Sequence, residues 1–316
     1  MSVPISPTVL RLGTRASLLA RTQSGLVANW IEQRHPGTRV ELTIYKTSGD
    51  VIAERPLHEF GGKGLFTKEL EQALLEGQID LAVHSFKDVP VTMPLVEQDE
   101  LIIAAVPARE DARDVLVSFK GATIHQLPRG ATVGTGSLRR RSQLLALRPD
   151  LQVLPIRGNI DTRLRKLQAG DFDAVILAAA GLRRASLFDP DFMYFIDPEI
   201  LMPASGQGAL AIECRRQDQQ TRQLVSVLND STTATCVSAE RELVKLLEGD
   251  CHSPISAYAE LEHGELMLRA AVGGRGGEPP VVRTTVRGPA ENPMQVAQMA
   301  NQALGTRART LLHGHE

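Results

Sequence analysis

The alternation of short apolar runs with longer amphipathic stretches constrains the fold of this chain more than any other feature. From Val9 to about Thr233, the runs VLRL, VELTIYK, IDLAVHS, LIIAAV, LQVLPIR and FDAVILAAA are of β type, and stretches of helical period separate them. This alternation is typical of βαβ units on largely parallel sheets. It predicts an α/β fold in which ligands bind at the carboxyl ends of the strands.

The alternation is interrupted near Leu95 to Asp114, where prolines and acidic residues collect. A second series of strands and helices begins at Ala131, so we expect the chain to cross between two α/β domains in the interruption. From about Ser231, one long helix, three strand-like runs and a closing helix indicate a small α+β domain. The length of 316 residues agrees with two or three domains.

Composition excludes several classes of protein. The formal net charge of −2 gives no overall basic field, which argues against a protein that coats nucleic acid. The N-terminal sequence lacks a basic start followed by an apolar run, and no stretch approaches the roughly 18 apolar residues of a membrane span. Three scattered cysteines without a CxxC pair predict neither a disulfide framework nor a metal site. We expect a cytoplasmic protein without membrane or nucleic-acid partners.

The segment RLGTRAS joins a strand end, a glycine turn and a helix start. Backbone N–H groups at a helix start and the guanidinium of Arg15 are able to face an anion together. A plain turn with a solvated arginine is an equally good interpretation of this segment alone.

The segment ATVGTGSLRRRSQL repeats that arrangement. It is not a dinucleotide fingerprint, because Arg139 follows where a third glycine is needed. Thr135 and Ser137 are able to cap the helix, whereas Arg139 and Arg140 project from its first turns and oppose the helix dipole. Two arginines in this unfavourable place indicate a bound anion that compensates their charge. This interpretation is favoured over a solvated helix surface.

Two further segments place arginines after predicted strands. PIRGNIDTRLRKL has Arg157 at a strand end and Arg163 one helical turn past Asn159, and AAGLRRASL adds Arg183 and Arg184. Guanidinium groups bind carboxylates in a bidentate manner. Several of them at the carboxyl ends of strands predict a ligand with several carboxylates or phosphates.

Other loops carry candidate chemical groups. HSFKDVP follows the strand IDLAV, so His84, Lys87 and Asp88 are expected on one loop. Asp88 is a candidate acid–base or cation-stabilising group. The alternative is that Asp88 and Lys87 form an ordinary exposed ion pair. FGGKGLFTKEL is glycine-rich but lacks the Ser or Thr of a P-loop, which predicts a flexible lid. Cys251 is either a small buried residue or, because it lies in a loop, an exposed nucleophile.

Eight motifs together resemble one family. In order along the chain they are GTRAS, GGKGLFTKEL, HSFKDVP, VGTGSLRR, RGNIDTRLRKL, ILAAAGLRR, PASGQGALAIEC and CHSPISAYAEL. Each motif is weak by itself, but all eight in register, from about Leu10 to Leu266, closely resemble the porphobilinogen deaminase (hydroxymethylbilane synthase) family.

The resemblance implies a three-domain α/β fold: two periplasmic-binding-protein-like doubly wound domains with a small C-terminal α+β domain. The chain of this family leaves its first domain, builds the second and returns. The expected domains are therefore residues 1–104 plus 204–228 (domain 1), 105–203 (domain 2) and 229–316 (domain 3, with the cofactor cysteine).

The resemblance also implies a reaction. Four porphobilinogen molecules would be condensed head to tail, each losing ammonia, on a dipyrromethane primer held by a thioether to Cys251, and water would release hydroxymethylbilane. Asp88 matches the catalytic aspartate, which would stabilise the cationic azafulvene that forms from each substrate. No metal is expected, and the resemblance implies a monomer.

The remaining site residues follow from matching positions. The cofactor would contact Lys87, Asp88, Thr135, Ser137, Arg139 and Arg140. The substrate would contact Arg15, Ser17, Arg157, Arg163, Arg184 and Gln207. Lys63 and Phe66 would lie on a mobile loop.

Two positions depart from the family pattern: Asp250 stands where glycine usually precedes the cysteine, and Ser256 replaces a frequent glycine. A carboxylate beside a cysteine disfavours its thiolate form. The alternatives are a non-catalytic solute-binding or effector-sensing protein, which needs neither Asp88 nor Cys251, and a relative that has lost activity.

Overall fold

The computed structural model describes residues 8–47, 67–91, 100–120, 123–250 and 252–313. Its strands are β1 (Thr8–Arg15), β2 (Thr38–Tyr45), β3 (Leu81–Ser85), β4 (Leu101–Ala105), β5 (Asp114–Val117), β6 (Thr132–Gly134), β7 (Gln152–Leu154), β8 (Ala174–Ala178), β9 (Met193–Phe195), β10 (Leu210–Arg215), β11 (Ile255–Glu262), β12 (Glu265–Val272) and β13 (Val282–Pro289). Its α-helices are α1 (Leu18–Arg34), α2 (Lys68–Leu75), α3 (Leu138–Leu147), α4 (Ile160–Gln168), α5 (Ala179–Arg184), α6 (Gln219–Ser226), α7 (Ser231–Leu246) and α8 (Pro293–His313). Lys63, Phe66 and Cys251 lie outside the described residues.

The chain forms two compact units. The first comprises Met1–Arg109 with Ala209–Ala234, and the second comprises Glu110–Gly208 with Thr235–Glu316. The expected boundaries of three separate domains stay a prediction.

The first unit is built on a five-stranded sheet of order β2-β1-β3-β10-β4. Its strands are parallel except β10, which runs against both of its neighbours. α1 packs on one face, where Val27 and Ile31 join Leu12 and Ile212 in a buried cluster. α2 supplies Leu70 to a second buried cluster. β3 contributes Leu81 and Val83 to the first cluster and Ala82 to the second, so burial on both faces explains the apolar run Leu-Ala-Val in the sequence.

The second unit repeats this plan with a sheet of order β7-β6-β8-β5-β9, in which β5 is the antiparallel strand. In each unit the antiparallel strand is the one by which the chain enters the unit (β5) or returns to it (β10). A separate antiparallel sheet of order β11-β12-β13 packs against α8. The predicted class, two doubly wound α/β sheets with a small C-terminal α+β part, is confirmed. Among the described residues, no helix is long and apolar enough to cross a membrane.

Gly208 ends the part of the second unit that precedes β10. Its φ of +87° is favourable for glycine alone, and a Cβ at this position would overlap the carbonyl oxygen of Glu110. The Glu110 amide in turn donates to the carbonyl of Gly208 at 3.1 Å. The close approach of these two backbone segments therefore requires glycine.

We predict that Gly208→Ala lowers the free energy of unfolding by more than about 2 kcal/mol, because the positive φ alone costs roughly 1–2 kcal/mol and the Glu110 carbonyl must also move. The matched control is Gly25→Ala within α1, where nothing lies within 4 Å of the new methyl group and helix propensity adds about 0.5–1 kcal/mol. Urea unfolding of both variants measures the difference. Equal stability of the two variants would contradict this account.

Candidate functional site

Arg15 and Asp88 lie at the same edge of the first sheet. Arg15 is the last residue of β1, and Asp88 ends the 3-10 turn Phe86–Asp88 that follows β3. β1 and β3 are parallel neighbours, so their carboxyl ends meet at this edge. The expected places of both residues near strand ends are confirmed, but the glycine turn expected before Arg15 is wrong, because Gly13 lies within β1 and pairs with Thr43 and Ala82.

The segments around these residues are fixed by local hydrogen bonds. Ser17 is the N-cap of α1 and accepts a hydrogen bond from the Ala20 amide at 3.3 Å. Gln23 of the same helix donates to the Ser85 hydroxyl at 3.0 Å, just before the turn that carries Lys87 and Asp88. Both Lys87 and Asp88 are half-buried. α1 thereby supports the turn on which the predicted catalytic carboxylate lies.

The sequence analysis predicted that His84 lies on the loop, and this prediction is wrong. His84 belongs to β3, in register with Ala211 of β10, and this pairing extends the strand to Ser85. Its Nε2 lies 2.9 Å from Oε2 of Glu213, with both side chains buried. Glu71 interacts electrostatically with both His84 and Glu213. Burial raises the pKa of the Glu71 carboxyl, and the charge of Glu213 raises it further by a smaller amount. His84 is part of the sheet interior.

The second sheet carries the Thr135–Arg140 segment at the carboxyl end of β6. Ser137 is the N-cap of α3 and accepts from the Arg140 amide at 3.4 Å, and Thr135 Oγ1 accepts from the Ser137 amide at 3.2 Å. The predicted capping by both hydroxyls is confirmed. These bonds use the N–H groups that a helix start leaves without intrahelical partners.

Arg139 and Arg140 are buried against an acidic residue that sequence analysis missed. Nη1 of Arg139 lies 2.9 Å from Oδ2 of Asp114, and Nη2 of Arg140 lies 2.7 Å from Oδ1. Each guanidinium also donates to a backbone carbonyl, Arg139 to Met202 and Arg140 to Ile176. The anion that compensates these arginines in the structure is thus a carboxylate of the protein.

Asp114, Arg139 and Arg140 form a buried group, the Asp114 cluster, in which positive and negative charge are not balanced. Burial alone would raise the pKa of Asp114, but the two guanidinium groups lower it well below its ordinary value, so the carboxyl is ionised. Two positive groups then share one negative group. Arg140 Nε is buried and has no hydrogen-bond partner among the residues that the structure describes. The remaining positive charge and the unused donor fit a further anionic group.

Gln207 contacts Asp114, and its assignment to the substrate stays a prediction. Its Nε2 donates to Asp114 Oδ1 at 2.8 Å and to the Ala112 carbonyl at 2.7 Å, and its side chain is buried. The resemblance had assigned Gln207 to the substrate. The structure describes contacts through which it orients the carboxylate between the two arginines.

Arg157 and Arg163 lie past the end of β7. Arg163 Nε donates to the Gly158 carbonyl at 2.8 Å, and its amide bonds to Asn159, the N-cap of α4. Its predicted place one helical turn past Asn159 is confirmed. Both arginines are partly exposed. β7 and β6 are parallel neighbours, so Arg157 follows the same sheet edge as Thr135.

Arg184 does not directly follow a strand. The residues after β8 form the short helix α5, in which the good helix formers Ala, Leu and Arg outweigh Gly181, and Arg183 and Arg184 end it. Arg184 Nη2 donates to the Gly208 carbonyl at 2.8 Å, and burial lowers the pKa of its guanidinium to about 10, which leaves it charged at neutral pH. Arg183 instead pairs with Glu110 at 3.0 Å.

The two departures from the family pattern have local roles. Asp250 Oδ1 accepts from the amides of His252 and Ser253, at 2.9 and 2.8 Å, and from the Ser253 hydroxyl at 2.8 Å. Ser256 is buried, accepts from Gln143 of α3 at 3.0 Å and donates to the Met202 carbonyl at 3.1 Å. Asp250 thus closes a turn, and Ser256 joins β11 to the helix that carries Arg139.

The Asp114 cluster suits an organic anion. It offers guanidinium donors, which match a carboxylate. Among the described residues, no group of His, Cys, Asp or Glu side chains is arranged to hold a metal ion. The donor set therefore fits a group with carboxylate arms, such as the dipyrromethane that the sequence resemblance implies.

Comparison with known proteins gives the same family along almost the whole chain. Residues 10–223 match the family model for the porphobilinogen deaminase dipyromethane cofactor binding domain, and residues 234–305 match the model for the porphobilinogen deaminase C-terminal domain. A porphobilinogen deaminase of Roseiflexus sp. is 44% identical over 96% of this chain and 99% of that protein. One of Syntrophobacter fumaroxidans is 50% identical over 85% of this chain and 86% of that protein.

Solved structures are more distant. The regulatory domain of a mutant OxyR2 from Vibrio vulnificus has a TM-score of 0.40 and 15% identity, covering 72% of this chain and 100% of that one. The alkanesulfonate-binding protein SsuA of Xanthomonas axonopodis pv. citri has a TM-score of 0.38 and 19% identity, covering 76% and 75%. The family rests on the sequence matches alone: this chain belongs to the porphobilinogen deaminase family.

Proposed function

We propose that this chain condenses porphobilinogen stepwise into hydroxymethylbilane, with loss of ammonia at each addition, on a dipyrromethane primer bound to Cys251 through a thioether. As a member of its family the chain is an enzyme of the transferase class. The Asp114 cluster supports this function most directly, because two buried guanidinium groups share one carboxylate there. Porphobilinogen brings an acetate and a propionate arm with every unit, which supplies the missing negative charge.

The arginines bind and orient carboxylate arms in this proposal. Arg139 and Arg140, with Thr135 and Ser137 at the start of α3, hold the primer, which when bound supplies a free pyrrole carbon for condensation. Arg15, Arg157, Arg163 and Arg184, with Ser17, hold arms of the substrate and of the growing chain. Charge-assisted hydrogen bonds of this kind contribute roughly 1.5–3 kcal/mol each.

Asp88 acts on the substrate in this proposal. Its carboxylate accepts hydrogen bonds from pyrrole N–H groups and stabilises the cation that forms when the aminomethyl group leaves as ammonia. The pyrrole carbon that attacks then loses its proton, and Asp88 is placed to assist that transfer. Its half-buried position at the end of the turn after β3 supports both roles.

A cytoplasmic location, a monomeric state and the absence of nucleic-acid partners stay predictions. Lys63 and Phe66, expected on a mobile loop, and Cys251 lie outside the described residues, so their roles are proposed from the sequence resemblance alone.

We predict that the intact protein exceeds its sequence mass by two porphobilinogen units less the ammonia that each loses, all on Cys251. Cys214 and Cys236 are unsuitable because both are buried, and burial raises the pKa of Cys214 to about 11. Intact-mass measurement and peptide mapping test this. Cys251→Ser should lose the adduct and the activity, whereas the matched controls Cys214→Ser and Cys236→Ser should keep both. Active protein of unmodified mass, or an adduct on another cysteine, would overturn the assignment.

We predict that Asp88→Asn folds normally but slows release of ammonia about 10²–10³-fold, because a neutral amide does not stabilise the developing cation. Asp88→Glu keeps the charge and should retain more activity. Single-turnover reactions with porphobilinogen separate this step from product release. A folded Asp88→Asn with the wild-type rate removes Asp88 from the mechanism.

We predict that the turn made by Asp250 matters more for primer attachment than its charge. Asp250→Asn keeps an oxygen for the His252 and Ser253 amides and removes a carboxylate that disfavours the thiolate, so the apoprotein should acquire its primer at least as fast as the wild type. Asp250→Ala loses the turn and should acquire it several-fold more slowly. The rate is followed by intact mass after porphobilinogen is added. Equal rates for Asn and Ala would show that the turn is unimportant.

A further inference from the structure

The contacts of Asp114 are unusual for a residue that sequence motifs do not mark. It is fully buried at the first position of β5. β5 runs against β8, with Asp114 opposite Ala178, so the start of β5 lies at the edge where the parallel strands β6 and β8 end. The antiparallel strand thereby brings an acidic residue to the edge at which this fold binds ligands.

Both oxygens of Asp114 are engaged by groups that approach from different segments. Oδ1 accepts from Arg140 at 2.7 Å and from Gln207 at 2.8 Å, and Oδ2 lies 2.9 Å from Arg139 Nη1 in an ion pair without hydrogen-bond geometry. The Arg139 and Arg140 guanidinium groups have second anchors on the carbonyls of Met202 and Ile176. The Arg140 guanidinium is therefore held at two nitrogens, Nη1 and Nη2, whereas both contacts of Arg139 go through its Nη1.

Without Asp114, two buried guanidinium groups on successive residues would repel one another at a helix start that already disfavours positive charge. They would turn toward solvent or toward other acceptors. With Asp114, one unit of positive charge remains, held in a defined orientation.

We propose that Asp114, itself oriented by Gln207, is a positioning residue that holds Arg139 and Arg140 in the geometry that binds a primer carboxylate. It acts through the arginines and touches neither the primer nor the reacting atoms. This inference rests on the proposed function, because the ligand is the dipyrromethane with its carboxylate arms.

A positioning role and a purely electrostatic role of Asp114 predict opposite changes in the KM for porphobilinogen when Asp114 is replaced by Asn. If Asp114 only offsets positive charge, Asp114→Asn leaves two free guanidinium groups, so anionic ligands should bind more tightly and the KM for porphobilinogen should fall. If Asp114 positions the arginines, the same variant should lose primer and raise KM, on the order of tenfold or more in kcat/KM.

Asp173→Asn is the matched control. Asp173 lies in the same unit, bonded to Thr132 at 2.9 Å and to Lys120 at 2.6 Å, and it precedes β8, at the opposite end of that strand from Ala178. Its replacement removes a carboxylate that pairs with a lysine of the same unit and lies away from Arg139 and Arg140. Asp173→Asn should keep full primer occupancy and the wild-type KM.

Gln207→Met is the second variant, for the case that Asp114→Asn does not fold. It keeps every formal charge and nearly the same volume but removes the amide that donates to Asp114 and to Ala112. We expect a smaller effect in the same direction, a several-fold loss of primer occupancy and a several-fold rise in KM.

The experiment measures intact mass, thermal unfolding and steady-state kinetics with porphobilinogen for the wild type and the three variants. Low primer occupancy and raised KM in folded Asp114→Asn or Gln207→Met, with Asp173→Asn normal, support the inference. Full primer occupancy with unchanged or lowered KM in folded Asp114→Asn overturns the inference. If Asp114→Asn does not fold, full primer occupancy and a wild-type KM in Gln207→Met overturn it. Primer loss in Asp173→Asn as well assigns the effect to general destabilisation and also overturns it. A wild type without primer and without turnover instead overturns the proposed function, and this inference with it.

Discussion

Burial of Arg139 and Arg140 at the start of α3 depends on the carboxylate of Asp114. A buried guanidinium without a partner costs several kcal/mol, and here two of them follow one another in the first turn of a helix. Asp114 lies between them, and Gln207 fixes its orientation. Gln207 in turn belongs to the segment that ends at Gly208, whose backbone approaches Glu110 too closely for any other residue. The geometry of this site therefore follows from charge compensation and from one glycine.

Local patterns in the sequence were sufficient for much of the fold and of the site. Capping by Ser137 and the place of Arg163 one turn past Asn159 are short-range features, and both are confirmed. The strands β11, β12 and β13 and the closing helix were also predicted, because their hydrophobic periods are regular. These features depend on residues a few positions apart.

Contacts that arise from topology were not predictable in the same way. Asp114 lies 26 residues from Arg140, in an acidic stretch that resembled a linker, and it meets α3 only because β5 is antiparallel. His84 was expected on the loop that follows IDLAV, but its pairing with Ala211 and its buried contact with Glu213, both distant in the sequence, place it in β3. Ser256 was identified only as a departure from the family pattern, whereas the structure shows that its hydroxyl bonds Gln143 and Met202. Burial and strand direction decide such contacts, and neither is visible in a motif.

We propose that the chain converts porphobilinogen into hydroxymethylbilane, with its arginines holding the carboxylate arms and Asp88 stabilising the cation. The ratio of ammonia released to hydroxymethylbilane formed, measured when purified protein is given porphobilinogen, tests this function. We expect four ammonia molecules for each tetrapyrrole. Folded protein that binds porphobilinogen but releases neither ammonia nor hydroxymethylbilane would contradict it and would identify a relative that has lost activity.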